Sequence, residues 1–341
     1  MRAVTIALDA MGGDRAPGEI CAGALDAVIP GKIEIVLVGD TPLILAEYGG
    51  KLPRGITIRH APEQIAFDEE PLAAVRAKPE SSIVVTAGSV REGWAQAAVS
   101  AGSTGALLAA STFSMRRIAG VHRPGLAAVI PAIGGPLTLI DCGANVDPRP
   151  EMLVQFAHMG ACFAEDVLGR RSPRVGLLSI GEEPGKGNQL TKEAFELLAA
   201  EAGLDFAGNV EGRDLLLNKV QVVVTDAFTG NVALKTAEGT AREIFKLIKA
   251  AAKRNPLTMV GGLLLRGGVR DLRTRLDPET YGGAFLLGLA GISVAAHGSS
   301  SRVAIANACR MAAEGVTHDV CGHVAARVGR EAARAAAVSD V

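Results

Sequence analysis

The stretch Val4–Asp14 reads VTIALDAMGGD, an apolar run that ends in a polar turn with two glycines. The run alternates as a strand does, and the pattern over Pro17–Val28 predicts a helix directly behind it. Short runs rich in valine and isoleucine recur along the chain, and longer helical patterns separate them. This alternation is typical of βα units around a mostly parallel sheet, so the sequence predicts an α/β protein.

Several segments have strand character, and longer ones between them have helical periodicity. The predicted strands are Val4–Leu8, Ile33–Val38, Ile56–Ile58, Ala97–Ser100, Leu137–Ile140, Val175–Ile180, Val220–Thr225 and Ile292–Ala296. The predicted helices are Pro17–Val28, Gly105–Met115, Glu151–Leu168, Gln189–Ala202, Asn231–Lys253 and Ser301–Glu314, followed by a solvated terminal helix at Val324–Ala337. Because no linker separates two compositions, we expect one domain over residues 1–341.

The charge balance and the cysteine usage exclude several classes of protein. Lysine and arginine number 35 against 36 acidic residues, so no cationic field is available to attract nucleic acid. The five cysteines are far apart and form no C-x-x-C pair, so the sequence predicts neither a disulfide framework nor a zinc site. The start of the chain lacks the pattern of a secretory leader, and no apolar run reaches the roughly 18 residues of a membrane span. We therefore expect a cytoplasmic protein.

Polar turns rich in glycine follow six of the predicted strands. They are DAMGGD from Asp9, SAGSTGA from Ser100, DCGANVD from Asp141, SIGEEPGKGN from Ser179, TDAFTGN from Thr225 and AHGSSS from Ala296. Because open α/β sheets bind ligands at the carboxyl ends of their strands, we expect these turns to meet at one sheet edge and form an active site.

Two of these turns offer groups that suit an anion. Gly102, Ser103 and Thr104 can present backbone N–H groups and hydroxyls to a phosphate or carboxylate at a helix start, or they can simply cap that helix. Lys186 lies between two glycines, so the loop fixes its reach. It can bind phosphate or polarise a carbonyl oxygen, and the alternative is a solvated loop lysine. Asn188 follows it at the expected start of the next helix.

The last two turns offer hydrogen-bonding and acid–base groups. The Asn231 amide can donate to a developing oxyanion, and Asp226 can orient a lysine or a hydroxyl, although both residue types also cap helices. His297 can act as a general acid or base, or it can simply make local hydrogen bonds near its turn. Ser299 behind it can contact phosphate or cap the next helix.

Pairs of acidic residues raise the question of a metal. Asp9 and Asp14 flank one glycine pair, and Asp141, Asn145 and Asp147 bracket another glycine, which suggests magnesium. Aspartate at strand ends commonly caps turns, however, and no ligand spacing is diagnostic, so no metal is predicted. The dinucleotide, Walker, G-x-S-x-G and H-E-x-x-H motifs are missing from the sequence, and no cofactor is predicted.

Eight motifs in order carry a family resemblance. They are DAMGGD, SAGSTGA, DCGANVD, GEEPGKGN, GNVEGRD, TDAFTGN, YGGAFLLG and AHGSS, within Val4–Ala308. This set closely resembles the bacterial phosphate acyltransferases, the acyl-acyl-carrier-protein:phosphate acyltransferases of phospholipid synthesis. The sequence differs from the family pattern at Ser103, where asparagine is usual, at Ala227, where glycine is usual, and at Phe285, where proline is usual.

The resemblance implies a reaction and a fold. Inorganic phosphate attacks the thioester of acyl-acyl carrier protein, without a covalent enzyme intermediate, to give an acyl-phosphate that a glycerol-3-phosphate acyltransferase consumes. The implied fold is a Rossmann-like three-layer αβα sandwich, similar to the isocitrate and isopropylmalate dehydrogenases. Lys186 and Asn231 are the expected catalytic residues, for phosphate positioning and oxyanion stabilisation. The residues expected to bind phosphate and substrate are Asp9, Gly102, Ser103, Thr104, Asn145, Asn188, Asp226, His297 and Ser299.

The segment Pro256–Arg275 has a separate amphipathic character. Apolar residues precede a run of arginines, namely Leu257, Met259, Val260, Leu263, Leu264 and Leu265 before Arg266, Arg270, Arg273 and Arg275. One interpretation is a helix packed on a dimer partner. The resemblance implies a homodimer whose exposed tip touches the inner face of the cell membrane reversibly, and we expect such a peripheral tip here.

Three other functions stay open at this stage. A phosphotransacetylase-like enzyme would use acyl-coenzyme A for the same chemistry. A decarboxylating dehydrogenase would share the architecture. A catalytically silent lipid-binding or scaffold protein would bind acyl chains without turnover.

Overall fold

One mixed sheet forms the centre of the protein. The computed structural model describes residues 3–339, apart from the side chains of residues 275, 278 and 330–339. In this part of the chain, eleven strands form a single sheet. They are Val4–Asp9 (β1), Ile33–Gly39 (β2), Ile56–His60 (β3), Ala97–Ser100 (β4), Gly125–Ala132 (β5), Gly135–Ile140 (β6), Arg174–Leu178 (β7), Asp205–Val210 (β8), Val222–Val224 (β9), Ala284–Leu287 (β10) and Ile292–Ala295 (β11).

Helices cover both faces of this sheet. They are Gly18–Ala27 (α1), Thr41–Glu47 (α2), Pro71–Ala77 (α3), Ser82–Glu92 (α4), Thr104–Met115 (α5), Pro150–Asp166 (α6), Gln189–Ala200 (α7), Ala227–Ala252 (α8), Pro256–Leu276 (α9), Arg302–Thr317 (α10) and Val320–Ser339 (α11). Helices α1, α6, α7, α10 and α11 bury their apolar sides in one core, and α3, α4 and α5 do so in a second core. Alternate residues of the strands enter the two cores, since side chains of a strand alternate between faces. The predicted α/β fold with a layered αβα architecture is confirmed.

The sheet reverses direction near its middle. Its strand order is β3-β2-β1-β4-β11-β10-β5-β6-β9-β7-β8. Strands β1 to β4 and β11 are parallel to one another, and so are β6 to β9. Between these groups, β10 is antiparallel to β11 and to β5, and β5 is antiparallel to β6. The two parallel halves therefore run in opposite directions.

The turns do not share one edge of a parallel sheet, so that prediction is wrong. A single row of paired residues crosses the sheet through Leu8, Val99, Val294, Phe285, Ala127, Ile140, Val224 and Leu177. Strands of both halves end within one residue of this row, but they reach it from opposite sides. The prediction failed because β5 and β10, which reverse the sheet, were not identified. Strand β5 reads GLAAVIPA, and its alanines, glycine and proline are weak strand formers.

Two departures from the family pattern fit this fold without strain. Ala227 is the first residue of α8 and adopts helical backbone, so the position does not need a glycine. Phe285 is fully buried in β10, and its ring lies 4.8 Å from that of Phe163 between centroids. The phenylalanine therefore adds an aromatic contact to the core.

Helices α8 and α9 form a pair with a largely exposed apolar surface. Only Ala227 and Gly230 of α8 are buried among the described residues. Exposed large apolar side chains of this pair are Phe228, Val232, Ile244, Leu247, Ile248, Leu257, Met259, Val260, Leu263, Leu264, Leu265 and Leu272. The predicted amphipathic segment forms most of α9, although the side chain of Arg275 lies outside the described residues. Within the described chain, none of the helices combines the length and hydropathy that a membrane crossing requires.

Candidate functional site

A cavity of about 290 Å³ lies where the two halves of the sheet meet. Its floor consists of side chains on one face of β5, β10 and β11, namely Leu126, Ala128, Ala284 and Ala295. Its walls come from the start of α5, the turn after β6, the first turns of α8 and the turn after β11, through Thr104, Cys142, Gly143, Asn231, Leu234, His297, Ser299 and Ser300. The small side chains of the floor leave the space, and both halves of the sheet contribute polar groups to it.

Asn231 enters the cavity because α8 begins next to the turn after β6. The Asp226 carboxylate caps α8, since its two oxygens accept from the Thr229 N–H at 2.8 Å and the Thr229 hydroxyl at 2.7 Å. Gly230 then permits close approach, because a Cβ there would lie 2.0 Å from the Asp141 carbonyl oxygen. Asn231 Nδ2 donates to the Cys142 carbonyl oxygen at 3.1 Å. An amide nitrogen carries two hydrogens, so one donor remains for a ligand.

The buried Asp141 carboxylate organises the turn after β6. It accepts from the backbone N–H groups of Leu126, Gly143, Ala144 and Asn145 at 2.8 to 3.1 Å and from Asn145 Nδ2 at 2.7 Å. Burial raises the pKa of this carboxyl, whereas the hydrogen bonds lower it. Asn145 Nδ2 also donates to the Pro124 carbonyl oxygen at 2.8 Å. Both amide hydrogens of Asn145 are thus engaged within the protein, so the structure places this predicted substrate-binding residue in a supporting position.

Asp9 supports the turn from Ser100 to Gly105 in a similar way. Its carboxylate is buried and accepts from the Ser100 hydroxyl at 2.6 Å and from the Met11 N–H at 3.1 Å. Burial raises its pKa, and these hydrogen bonds act in the opposite direction. The Gly102 N–H donates to Ser100 Oγ at 3.0 Å. Neither Asp9 nor Gly102 lines this cavity, and Gly102 lines a separate one of about 330 Å³ together with Gly12, Gly13 and Asp14.

The start of α5 reaches the cavity through Thr104. Ser103 is the N-cap, and its Oγ accepts from the Ala106 N–H at 3.4 Å. Thr104, the first residue of the helix, is exposed and lines the cavity. Because the first N–H groups of a helix lack internal partners, this end of α5 favours an anion.

His297 and Ser299 form a hydrogen-bonded pair at the cavity wall. His297 Nδ1 lies 3.2 Å from the Ser299 N–H and 2.8 Å from Ser299 Oγ. Because the backbone N–H can only donate, Nδ1 is the acceptor, and the neutral ring carries its hydrogen on Nε2. Both side chains are exposed and line the cavity, so the imidazole offers an N–H donor there.

Lys186 and Asn188 lie farther away, on the loop between β7 and α7. Asn188 caps α7, with its side-chain oxygen 2.9 Å from the Thr191 N–H. Lys186 is exposed and does not line the cavity. Its carbonyl oxygen accepts from Ser179 Oγ at 3.3 Å, and Asn209 Nδ2 donates to the Glu183 carbonyl oxygen at 2.8 Å, which fixes the loop. Strand β7 pairs directly with β9, the strand that precedes α8, but in the described part of the chain Lys186 shares neither a hydrogen bond nor the cavity lining with Asn231.

Several lining residues were missed from the sequence. Four of them follow Asn231 on α8 at helical spacing, namely Leu234, Lys235, Glu238 and Arg242. Side chains three or four residues apart lie on the same face of a helix, so a cavity position for Asn231 predicts the same for these four residues. Tyr281 and Gly283 come from the connection before β10, which the sequence did not place.

Comparison with known proteins decides the family. A family model described as fatty acid synthesis protein matches residues 4–323. A phosphate acyltransferase of Thermobifida fusca is 52% identical over 314 residues, which cover 90% of this chain and 86% of that protein. The chain belongs to the phosphate acyltransferase family. The predicted family and the predicted acyltransferase class are confirmed.

Solved structures share the fold of this phosphate acyltransferase family member. A phosphotransacetylase from Streptococcus pyogenes superposes with a TM-score of 0.64 at 17% identity, over 92% of this chain and 94% of that one. A candidate 4-hydroxythreonine-4-phosphate dehydrogenase from Salmonella typhimurium gives a TM-score of 0.54 at 14% identity, over 92% and 99% of the two chains. At these identities the likeness concerns the fold, and the Rossmann-like architecture agrees with it.

Proposed function

We propose that this protein transfers a long-chain fatty acyl group from acyl-acyl carrier protein to inorganic phosphate. A phosphate oxygen forms a bond to the thioester carbonyl carbon, the carbon–sulfur bond breaks, and the departing thiolate takes a proton. The observation that carries this proposal is the single cavity in which the Asn231 amide, the His297 Nε2 and the start of α5 surround an apolar floor. The products are an acyl-phosphate and the free carrier thiol.

The cavity supplies the groups that this reaction needs. The start of α5 and Thr104 hold the phosphate, and the second Asn231 Nδ2 hydrogen stabilises the carbonyl oxygen as it becomes negative. The Nε2–H of His297 donates a hydrogen bond to the departing sulfur, and the thiolate, whose thiol has an ordinary pKa of about 8.5, takes its proton from water. Leu126 of the floor and Leu234 of the wall contact the first carbons of the acyl chain. Holding both reactants in place supplies much of the rate acceleration.

The leading alternative donor is acyl-coenzyme A. The fold shared with a phosphotransacetylase favours this donor. The same displacement at a thioester would serve either carrier. Incubation with palmitoyl-acyl carrier protein, with and without phosphate, separates the two by mass spectrometry of free carrier and acyl-phosphate. Phosphate-dependent release of both products is expected. Consumption of palmitoyl-coenzyme A alone would identify an acyl-coenzyme A:phosphate acyltransferase. A change in nicotinamide absorbance would identify a dehydrogenase. Acyl binding without turnover would indicate a lipid-binding protein.

Part of this proposal concerns where the product is used. An acyl-phosphate is an activated acyl donor, and a glycerol-3-phosphate acyltransferase would consume it in phospholipid synthesis.

The exposed apolar surface of α8 and α9, followed by Arg266, Arg270 and Arg273, suits a homodimer contact and a tip on the inner face of the membrane. The protein would then be cytoplasmic and peripherally bound.

Liposomes containing anionic lipid test the tip. The protein is expected to sediment with them, and Leu264→Ser, at a side chain that is 81% exposed, is expected to weaken sedimentation. The control is Leu217→Ser, at an exposed apolar side chain away from α9. Equal sedimentation of both variants and the parent would contradict the tip, and light scattering of the same samples reports the dimer.

Lys186 is assigned to phosphate capture in this proposal. Hydrogen bonds hold the loop of Lys186, and its exposed side chain can extend toward a bound phosphate. Lys186→Ala is therefore expected to raise KM for phosphate roughly tenfold, because one charged hydrogen bond is lost. Lys192→Ala, which removes an exposed lysine from the nearby helix α7, is the matched control. Unchanged KM and full turnover in folded Lys186→Ala would remove this lysine from the mechanism.

Cys142 contributes a thiol to the cavity wall, and a thiol can act as an acyl nucleophile. Its side chain is 1% exposed, and Sγ donates to the Leu126 carbonyl oxygen at 3.1 Å. Burial raises the pKa of this thiol, so it stays protonated and unreactive at neutral pH. Cys142→Ser is therefore expected to retain kcat within about threefold, because a hydroxyl can make the same hydrogen bond. A loss of turnover together with an acyl-cysteine adduct in the parent would establish covalent catalysis instead.

A further inference from the structure

A second cavity, of about 410 Å³, adjoins the first. Its lining consists of Leu108, Thr112, Arg117, Arg123, Pro124, Ala144 and Asn145. The two cavities share the turn after β6, where Gly143 lines the first and Ala144 the second. They also share α5, which contributes Thr104 to the first and Leu108 to the second. Because Thr104 and Leu108 are four residues apart, the two cavities lie along the same face of this helix.

Two arginines give the second cavity a positive charge that the protein does not neutralise. Among the residues that the structure describes, no carboxylate lies within ion-pair distance of Arg117 or Arg123. The shared turn carries two acids, the buried Asp141, which already accepts five hydrogen bonds, and the exposed Asp147, which forms no ion pair with either arginine. Arginine pairs are well suited to the oxygens of a phosphate.

The loop that carries these arginines is held in place. Arg117 Nη1 donates to the carbonyl oxygens of Val121, at 3.1 Å, and His122. The buried Gln155 accepts from the His122 N–H at 2.9 Å and donates to the Gly120 carbonyl oxygen at 3.0 Å. Because these hydrogen bonds fix the loop, little conformational entropy is lost when an anion binds there.

The distance between the cavities indicates the kind of anion. Thr104 lines the first cavity, and Leu108 and Thr112 line the second, about 6 and 12 Å farther along the axis of α5. Arg117 and Arg123 come after the far end of this helix, at Met115, so a phosphate bound by them is not placed to attack a thioester beside Thr104. A pantetheine arm has the required shape, since it carries the thioester at one end and a phosphate ester at the other.

We infer that Arg117 and Arg123 bind the phosphate ester of the acyl donor's pantetheine arm while its thioester lies in the first cavity. This inference rests on the proposed function. Acyl carrier protein and coenzyme A both carry this ester, so the chemistry recognised is the same for either source. The second cavity thereby distinguishes a carrier-bound acyl group from a simple thioester.

The test compares donors with and without the phosphate. Arg123→Ala is expected to lower kcat/KM for palmitoyl-acyl carrier protein or palmitoyl-coenzyme A by roughly 10- to 100-fold. For palmitoyl-pantetheine, which lacks the phosphate, the change is expected to stay within about twofold, and KM for inorganic phosphate stays the same. Arg123→Lys should retain part of the effect, because it keeps the charge but not the paired donors. Arg54→Ala, ahead of the edge strand β3, is the matched control.

Binding without turnover separates this inference from the proposed function. Calorimetry is expected to detect pantetheine 4′-phosphate binding to the parent and a roughly tenfold or greater loss in Arg123→Ala, with little binding of pantetheine itself. This result in a protein that lacks acyl transfer would keep the inference and reject the function. Equal binding of the two probes, or equal loss for all three thioester donors, would overturn the inference. A loss confined to palmitoyl-acyl carrier protein, with phosphopantetheine binding unchanged, would also overturn it, since Arg123 would then contact the carrier surface.

Discussion

Asn231→Ala is expected to lower kcat for acyl transfer by about 10²- to 10³-fold, the usual cost of losing one oxyanion donor. The expectation follows from geometry. One Asn231 amide hydrogen is engaged by the Cys142 carbonyl oxygen at 3.1 Å, which fixes the direction of the side chain. The other hydrogen is then held toward the cavity, where the carbonyl oxygen gains negative charge in the transition state.

Steady-state kinetics with palmitoyl-acyl carrier protein and phosphate measure this effect. Because the lost interaction strengthens in the transition state, kcat should fall while KM for phosphate changes little. Thr236→Ala is a suitable control, since Thr236 is an exposed polar residue of α8 outside the cavity lining. Full turnover in folded Asn231→Ala would show that another group stabilises the oxyanion.

Gly230→Ala is expected to have the largest effect on folding. The new Cβ would lie 2.0 Å from the Asp141 carbonyl oxygen and 3.0 Å from Thr225 Cγ2, and backbone cannot move aside as a flexible side chain can. Helix α8 would have to shift away from the turn after β6. The free energy of unfolding should fall by about 3 kcal/mol, the upper part of the range for overpacking, and turnover should fall with it.

The same helix offers a matched control for this substitution. A Cβ on Gly239 would meet nothing within 4 Å, and the residue lies in the interior of α8. Gly239→Ala is therefore expected to raise the free energy of unfolding by about 0.5 to 1 kcal/mol, through helix propensity alone. Urea denaturation of both variants measures the contrast. Similar stability changes in the two would show that α8 does not contact the turn closely.

The local elements were largely predictable from the sequence. Each of the eight predicted strands is present, with ends that differ by a few residues, because apolar runs bounded by polar turns are a local signal. Strands β5, β8 and β10 were missed. β8 reads DFAGNV, with an aspartate, a glycine and an asparagine, and β10 has four residues, so neither carries a strong local preference.

The candidate site was only partly predictable. Thr104, Asn231, His297 and Ser299 line the cavity, as expected for polar residues at strand ends. Other predicted residues cap helices or support turns, as Asp226 does for α8 through the Thr229 N–H. The sequence does not distinguish these roles, because the residue types that bind ligands at helix starts also satisfy the free N–H groups there. The roles of all these residues in catalysis stay predictions.

By itself, the sequence determined the βα units, their polar turns and the family to which the chain belongs. The tertiary structure decided how the turns meet. Antiparallel pairing of β5 and β10 reverses the sheet, so the turns after β4 and β11 reach the cavity from one side and the turns after β6 and β9 from the other. That outcome depends on hydrogen bonds and packing between segments distant in the chain, such as Ala127 with Ile140 and Phe285. Local propensity does not specify such pairing, because a strand pairs with its neighbours only when the whole core packs.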